Sequence, residues 1–363
     1  MYNFTHDIPT KILFGKGQIE KLTKELSVFG KRVLLAYGGG SIKKTGLYYD
    51  VMHRLEKDGF TVTECSGIEP NPRIATVEKG VRLCRENKID AVLAVGGGST
   101  IDCAKAICAG VYFDGDLWDM VMHPEKIRKA LPLVDVLTLS ATGSEFDAFG
   151  VISNPETQQK IGSPFTYPSV SICDPTYTFT VPAGQTAAGA ADIMSHIMEV
   201  YFSYCDDSVV SEGLCETILK TVIKFLPAAL KNPDDYTARA NLMYASTLAC
   251  CGMPGYGKDL YSWSCHGMEH ELSAFYDITH GVGLAILTPR WMKYVLNDKT
   301  AGRFALFARN VWGLDDDDEF ALAEKGIDAL YGFFKENGIP MTLSELLSLI
   351  HISEPTRLRR ISY

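Results

Sequence analysis

The first half of the chain holds three short apolar runs, each followed at once by a loop of glycine and serine. The runs are Arg32–Tyr37, Asp90–Val95 and Val134–Leu139, and the loops begin at Gly38, Gly96 and Ser140. Stretches with helical spacing lie between them, over residues 45–58 and 74–87. Alternating strand and helix predicts a mostly parallel sheet with helices on its faces. Ligands bind such sheets beyond the carboxyl ends of the strands, where all three loops fall.

The second half changes to helical periodicity, with almost no strand pattern. Helices are predicted over residues 184–231, 235–251, 261–275, 281–296 and 320–337. A chain of 363 residues is also longer than one core usually supports. We therefore predict an α/β domain over residues 1–182 and an all-α domain over residues 183–348.

The last segment, residues 349–363, does not continue this pattern. It reads LIHISEPTRLRRISY, and its arginines interrupt an acidic, helical chain. The string looks like translated adapter sequence, so we expect a non-native tail in place of the natural terminal helix. His351 lies inside it and is given no role.

Composition narrows the class of protein. The formal net charge is −9 and the pI is about 5.4, which disfavours nucleic-acid binding. No apolar run reaches the roughly 20 residues that span a bilayer, and the first ten residues lack a signal-peptide core. The ten cysteines form no CxxC pair and are interpreted as reduced core residues. We expect a cytoplasmic protein without membrane contact.

The loop Gly96–Ser99 connects a predicted strand to a predicted helix, and its composition suits phosphate binding. Glycines let the backbone approach a phosphate, and the following helix start offers free N–H groups and a positive dipole end. The loop lacks the GxGxxG pattern, and one glycine turn alone is weak support. Three such loops at one sheet edge are stronger support for a pyrophosphate site.

Residues 37–44 carry information about cofactor choice. Enzymes that use NAD often place an acid at the end of an early strand to bind the ribose 2′-hydroxyl. Here the chain reads Tyr-Gly-Gly-Gly-Ser-Ile-Lys-Lys, without an acid. This stretch favours NADP(H) over NAD(H), although Lys43 and Lys44 are equally compatible with a solvated helix start.

Four of the eight histidines fall between positions 196 and 280. Asp192 and His196 are four residues apart and share a helix face, as do His266 and His270. One carboxylate with several imidazoles suits Fe(II) or Zn(II). An isolated Asp–His pair is more often a surface pair. Here, however, the side chains come from separate predicted helices, and small residues precede Asp192.

The order and spacing of several motifs resemble one known family, the iron-containing alcohol dehydrogenases, and within it the butanol-dehydrogenase-like aldehyde reductases. The resemblance covers nearly all of residues 1–348 and implies a fold like that of dehydroquinate synthase. The motifs that carry it are GGGSxxD at Gly96–Asp102, TGSE at Thr142–Glu145, Asp174-Pro175, DxxxH at Asp192–His196, HxxEH at His266–His270 and THG at Thr279–Gly281.

The resemblance implies roles for individual residues. One divalent metal, Fe(II) or Zn(II), is expected on Asp192, His196, His266 and His280, with His270 beside the nicotinamide as the catalytic candidate. A homodimer is also implied. The implied cofactor contacts are Gly38, Gly39, Gly40, Ser41, Gly97, Gly98, Ser99, Asp102, Thr138, Thr142, Ser144, Lys160 and Thr178. Asp147 stands where relatives often carry asparagine, which predicts extra charge near the pocket.

The predicted activity is hydride transfer between NADP(H) and a primary alcohol/aldehyde pair such as butanol and butanal. The metal would act as a Lewis acid. His270 would either pass the proton to solvent or support the site through a hydrogen bond. Aromatic candidates for the pocket wall are Phe149, Tyr256, Trp263 and Phe275. A lyase resembling 3-dehydroquinate synthase is one alternative, but it needs a basic cluster that the helical half lacks. A non-catalytic nucleotide-binding protein is another, but it needs no buried ligand set.

Overall fold

The fold is given by a computed structural model, which describes residues 1–203, 207–259 and 262–347. Its first half is built on a six-stranded sheet in which every neighbouring pair of strands is parallel. The strands are β1 (Lys11–Phe14), β2 (Arg32–Tyr37), β3 (Thr61–Ser66), β4 (Ala91–Gly96), β5 (Leu133–Leu137) and, after a separate hairpin, β8 (Val170–Cys173). Their order across the sheet is β1-β8-β5-β4-β2-β3.

Helices cover both faces of this sheet. They are α1 (Leu22–Ser27), α2 (Ser41–Lys44), α3 (Leu47–Lys57), α4 (Ile74–Glu86), α5 (Gly98–Gly110) and α6 (Leu117–Met122). Apolar residues of α1 and α3 pack on one face, and those of α4 and α5 pack on the other. The central strands are therefore buried on both sides, which is why they read as continuous apolar runs.

A small antiparallel hairpin lies beside α5. It pairs β6 (Phe149–Asn154) with β7 (Gln159–Pro164). Gly150 permits the close approach, because a β-carbon there would lie 3.1 Å from the backbone oxygen of Asp102. The hairpin also contacts the helical half, and this brings Lys160 of β7 toward the second set of helices.

The second half is helical. Its helices are α7 (Ala183–Tyr201), α8 (Val209–Lys231), α9 (Tyr236–Ala249), α10 (Ser264–Tyr276), α11 (His280–Val295), α12 (Ala301–Trp312) and α13 (Glu319–Glu336). Helix α7 is buried from Thr186 to Tyr201 and packs against α8 and α11. Among the described residues, no helix combines the length and apolarity needed to cross a membrane.

The predicted fold class, a parallel α/β half followed by an all-α half, is confirmed. The three predicted strands match β2, β4 and β5 to within two residues. The division into domains at residue 182 stays a prediction. The sequence pattern does not predict helices α1, α6 and α12 or strands β1, β3, β6, β7 and β8, and the predicted helix over 184–231 is two helices. The unusual tail at 349–363 lies outside the described residues.

Candidate active site

Four side chains from three helices meet in the helical half. Asp192 and His196 lie on α7, His266 lies on α10, and His280 is the first residue of α11. Oδ1 of Asp192 is 3.9 Å from Nε2 of His266 and 3.7 Å from Nε2 of His280. The ring centres of His196 and His266 are 4.4 Å apart. The structure thus brings all four predicted metal ligands together.

Glycine allows the helices to approach this closely. A β-carbon at Gly281 would lie 1.9 Å from the backbone oxygen of Ala188, so α11 can touch α7 only without a side chain there. A β-carbon at Gly189 would lie 2.3 Å from the backbone oxygen of Ser140. The small residues before Asp192 therefore set α7 against both α11 and the loop after β5.

Each of these three histidines is oriented by a hydrogen bond at Nδ1. In His196 the partner is the backbone oxygen of Asp192, at 2.9 Å. In His266 it is the carboxylate of Glu199, and in His280 it is the carboxylate of Glu269. Such carboxylate–histidine contacts fix the ring and leave the other nitrogen for a metal.

The atoms at the centre have the features of a cation site. Oδ1 of Asp192 and Nε2 of His266 are buried and find no hydrogen-bond partner among the residues described. Unpaired buried polar atoms are costly, and a bound ion would satisfy both. Glu269 is paired with the ammonium of Lys160 at 3.2 Å, whereas the carboxylate of Asp192 faces histidine rings. A divalent ion would supply positive charge to these buried carboxylates.

The pKa shifts of these side chains also favour a cation at this site. Burial opposes charge on Asp192, but the cluster of histidines around it outweighs burial and holds the pKa of the carboxyl below its usual range. Burial lowers the pKa of His196 to about 3, so this ring is neutral. Burial also disfavours charge on His266, but the nearby carboxylate of Asp192 and the hydrogen bond to Glu199 raise its pKa to about 9. The centre therefore holds an ionised carboxylate ready to attract a cation.

His270 lies at the edge of this cluster. Its ring centre is 5.6 Å from that of His280, and its Cε1 atom faces Gly162 of β7. Burial, reinforced by the charge of Lys160, lowers the pKa of His270 to about 3. Its Nε2 is buried with no partner in the described part of the chain. The ring is therefore neutral, and its open nitrogen can donate or accept one hydrogen bond to a bound ligand.

The three glycine loops meet at the carboxyl edge of the sheet, since β5, β4 and β2 are neighbours. The N–H of Thr138 donates to the backbone oxygen of Gly96 at 2.9 Å. A β-carbon at Gly98 would lie 2.2 Å from Oγ1 of Thr142, so the second and third loops touch. Helix α5 starts at Gly98 without a side-chain cap, which leaves N–H groups for an anion.

Several predicted cofactor contacts bond to the protein itself. Asp102 accepts the Ser144 hydroxyl at 2.5 Å and the Val151 N–H at 3.0 Å, and so ties α5 to the segment after TGSE. The Thr178 hydroxyl donates to the backbone oxygen of Pro175 at 2.7 Å. In contrast, Ser41 and Gly39 are exposed at the loop after β2. The roles of all these residues as cofactor contacts stay predictions.

The expected extra charge of Asp147 near the pocket is corrected by the structure. Its carboxylate lies 2.7 Å from the ammonium of Lys105, whose side chain is fully buried in α5. Lys105 also donates to the backbone oxygen of Phe149 at 2.6 Å. Asp147 is therefore a paired charge inside the protein, which sequence spacing alone could not show.

The aromatic candidates for a pocket wall separate into two groups. The Trp263 ring centre lies 5.1 Å from that of His266 and 5.8 Å from that of His196, so it borders the centre. Phe149 and Phe275 are more than half exposed, and Tyr256 stacks on Phe4. Only Trp263 of the four has ring contacts with the histidine cluster in the described chain.

Sequence reasoning missed the two carboxylates behind the histidines, although a signal was present. Glu199 follows Asp192 and His196 at seven and three residues, so all three share one face of α7. Glu269 lies inside the HxxEH motif, one helical turn after His266. An acid one or two helical turns from a candidate metal-binding residue on a buried helix indicates a carboxylate that can orient a histidine ring.

Comparison with known proteins agrees with this architecture. The sequence profile described as iron-containing alcohol dehydrogenase matches residues 9–175, and the profile of the C-terminal part of the Fe-containing alcohol dehydrogenase family matches 186–347. NADH-dependent butanol dehydrogenase A of Clostridium acetobutylicum is 54% identical over 95% of this chain and 90% of its own. The NADPH-dependent aldehyde reductase YqhD of Escherichia coli is 38% identical over 95% and 89%.

Solved structures show the same likeness. The crystal structure of NADH-dependent butanol dehydrogenase A from Thermotoga maritima superimposes with a TM-score of 0.92 at 44% identity, covering 95% of this chain and 87% of that one. Both halves of the chain thus match one class of proteins, the dehydrogenases. The chain belongs to the iron-containing alcohol dehydrogenase family, whose members use a nicotinamide cofactor and iron, and it is an oxidoreductase. The lyase and the non-catalytic alternatives are thereby set aside.

Proposed function

We propose that the protein transfers a hydride between NADP(H) and a primary alcohol/aldehyde pair such as butanol and butanal, with one divalent metal on Asp192, His196, His266 and His280. The convergence of these four side chains from three helices carries the proposal. When bound, a divalent metal supplies Lewis acidity toward a carbonyl oxygen, and the nicotinamide supplies or accepts the hydride.

The chain's own residues have distinct tasks in this proposal. Glu199 and Glu269 hold the rings of His266 and His280 in place. His270 lies at the edge of the cluster with an open Nε2, which places it to relay the proton between the alcohol and its surroundings. Trp263 gives the site an apolar border beside His266, which suits a short aliphatic substrate.

Choice of NADP(H) is supported by the loop after β2. Gly39 and Gly40 have open space where a β-carbon would stand, so the loop can accept a 2′-phosphate. The acid beside this loop is Glu64, which accepts the hydroxyl of Tyr37 at 2.5 Å and that of Tyr48 at 2.9 Å. A carboxylate held by two hydroxyls is poorly placed to bind a ribose 2′-hydroxyl. The names of relatives carry both NADH and NADPH, so the test compares the two.

The direct test is the decay of NADPH absorbance with butanal, before and after treatment with a chelator and after return of Fe²⁺ or Zn²⁺. We expect activity that the chelator removes and the metal restores, with a faster rate for NADPH than for NADH. His266→Ala should lose the metal and turnover while it keeps cofactor binding. Full metal content and turnover in this variant would refute the ligand assignment, whereas a faster rate with NADH would refute the cofactor preference alone.

A homodimer and a cytoplasmic location stay predictions. Sedimentation equilibrium of the purified chain measures the first, and fractionation of the source cells measures the second.

A further inference from the structure

Lys160 and Glu269 join the two halves of the protein at the candidate active site. Lys160 lies on β7, in the hairpin beside the cofactor-binding half, and Glu269 lies on α10 in the helical half. Their charged groups are 3.2 Å apart, and both side chains are at least nine-tenths buried. The same oxygen of Glu269 that faces Lys160 also contacts Nδ1 of His280.

We infer that Lys160 and Glu269 are positioning residues that couple cofactor binding to metal binding through His280, so that each ligand tightens the other. This inference rests on the proposed function, since it takes the metal site and the nicotinamide cofactor from it. It adds a thermodynamic link between them, carried by the chain Lys160–Glu269–His280.

The carboxylate of Glu269 is fixed by several contacts, so it cannot move independently of Lys160 and His280. Its Oε1 accepts the hydroxyl of Ser273, and its second oxygen serves Lys160 and His280. A β-carbon at Gly283 would lie 2.8 Å from Cγ of Glu269, so α11 packs directly on the carboxylate stem. A shift of the Lys160 ammonium therefore changes the environment of the carboxylate that orients His280.

Lys160 can respond to a ligand from the cofactor side. An ammonium group has three N–H donors, and Glu269 takes one of them in the described structure. A cofactor hydroxyl or phosphate bound to another donor would restrict Lys160, and through it Glu269 and the ring of His280. Ordering by the first ligand lowers the cost for the second, which gives positive coupling. By linkage the effect is the same in both directions.

The chain offers a matched control in Glu199. This acid orients His266 as Glu269 orients His280, and its other oxygen accepts the backbone N–H groups of Cys265 and His266. No lysine is paired with Glu199 in the described residues. Loss of Glu199 should therefore weaken the metal site without breaking the link to the cofactor.

The experiment measures Zn²⁺ affinity of the whole chain by competition with a chromophoric chelator, without and with saturating NADP⁺. In the wild type we expect NADP⁺ to tighten Zn²⁺ by about fivefold or more. Glu269→Gln and Glu199→Gln should each weaken Zn²⁺ by roughly 10–100-fold. The tightening of Zn²⁺ binding by NADP⁺ should persist in Glu199→Gln. It should fall below about twofold in Glu269→Gln and in Lys160→Met, and it should recover in Lys160→Arg.

Equal coupling in the wild type and in Lys160→Met would overturn the inference, as would an absence of coupling in a wild type that binds both ligands. If Lys160→Met does not fold, Glu269→Gln breaks the same link from the other side. A wild type that binds no Zn²⁺ at Asp192 and the histidines would instead refute the proposed function. The two failures are therefore distinguishable, and the reciprocal titration of NADP⁺ without and with Zn²⁺ must give the same factor.

Discussion

The carboxylate of Glu199 is hydrogen-bonded to Nδ1 of His266, and this contact turns Nε2 of the ring toward Asp192. Both side chains are buried, so the orientation does not depend on solvent. The ligand cluster is thus organised before any ion arrives, by acids placed behind the rings.

Replacement of Glu199 by alanine should weaken the metal site more than the fold. The ring of His266 would lose its fixed orientation, and the backbone N–H of Cys265 would lose its acceptor. We expect metal affinity to fall roughly 10–100-fold, measured by chelator competition. Glu216→Ala is the control, because that acid bonds to Tyr201 and Asn310 instead of a histidine. Equal affinity in wild type and Glu199→Ala would contradict the role.

The buried pair of Lys105 and Asp147 should matter far more for stability than a surface pair of the same length. Lys105→Met leaves Asp147 charged without a partner inside the protein, which costs about 3–5 kcal/mol. Lys126 and Asp119 are also 2.7 Å apart, but both are exposed, so Lys126→Met should cost about 1 kcal/mol or less. Urea unfolding of the two variants measures the contrast, and similar losses would show that burial is not decisive.

The fold class could be predicted from the sequence, because buried strands appear as apolar runs. The proposed ligand set was implied by the motifs shared with the family, and periodicity supported only the pair Asp192 and His196. Short or half-exposed strands such as β3 leave a weaker trace, and its burial is mixed. The pairing of Asp147 with Lys105 joins residues 42 positions apart. Spacing within one element carries no information about such a contact.

The pH dependence of stability should reveal the buried acid Glu145. Burial, partly offset by the Thr247 hydroxyl, raises the pKa of Glu145 from 4.5 to about 7. Because the folded pKa lies above the unfolded one, the stability contribution is full below pH 4.5 and is lost as pH rises through 7. The loss is about 3 kcal/mol for a shift of this size. Glu145→Gln removes the titration and keeps an acceptor for Thr247.

The measurement is the free energy of unfolding of both proteins in urea, from pH 4.5 to above pH 7. The variant should gain on the wild type as pH rises across this range. A constant difference between the two would show that Glu145 does not change its charge there.

Two glycines next to ligand histidines should respond in opposite ways to alanine. In Gly281→Ala the new methyl group would lie 1.9 Å from the backbone oxygen of Ala188, so α11 must move away from α7 and carry His280 with it. We expect loss of metal binding and a destabilisation of about 1–3 kcal/mol or more, since backbone atoms must shift.

At Gly267, beside His266, there is no atom from another part of the described structure within 4 Å of the methyl position. Gly267→Ala should therefore keep the metal and gain up to about 1 kcal/mol from helix propensity. Metal titration and thermal unfolding of the two variants distinguish an effect of helix packing at His280 from an effect of any substitution near the site. Metal retention in Gly281→Ala would contradict the packing argument.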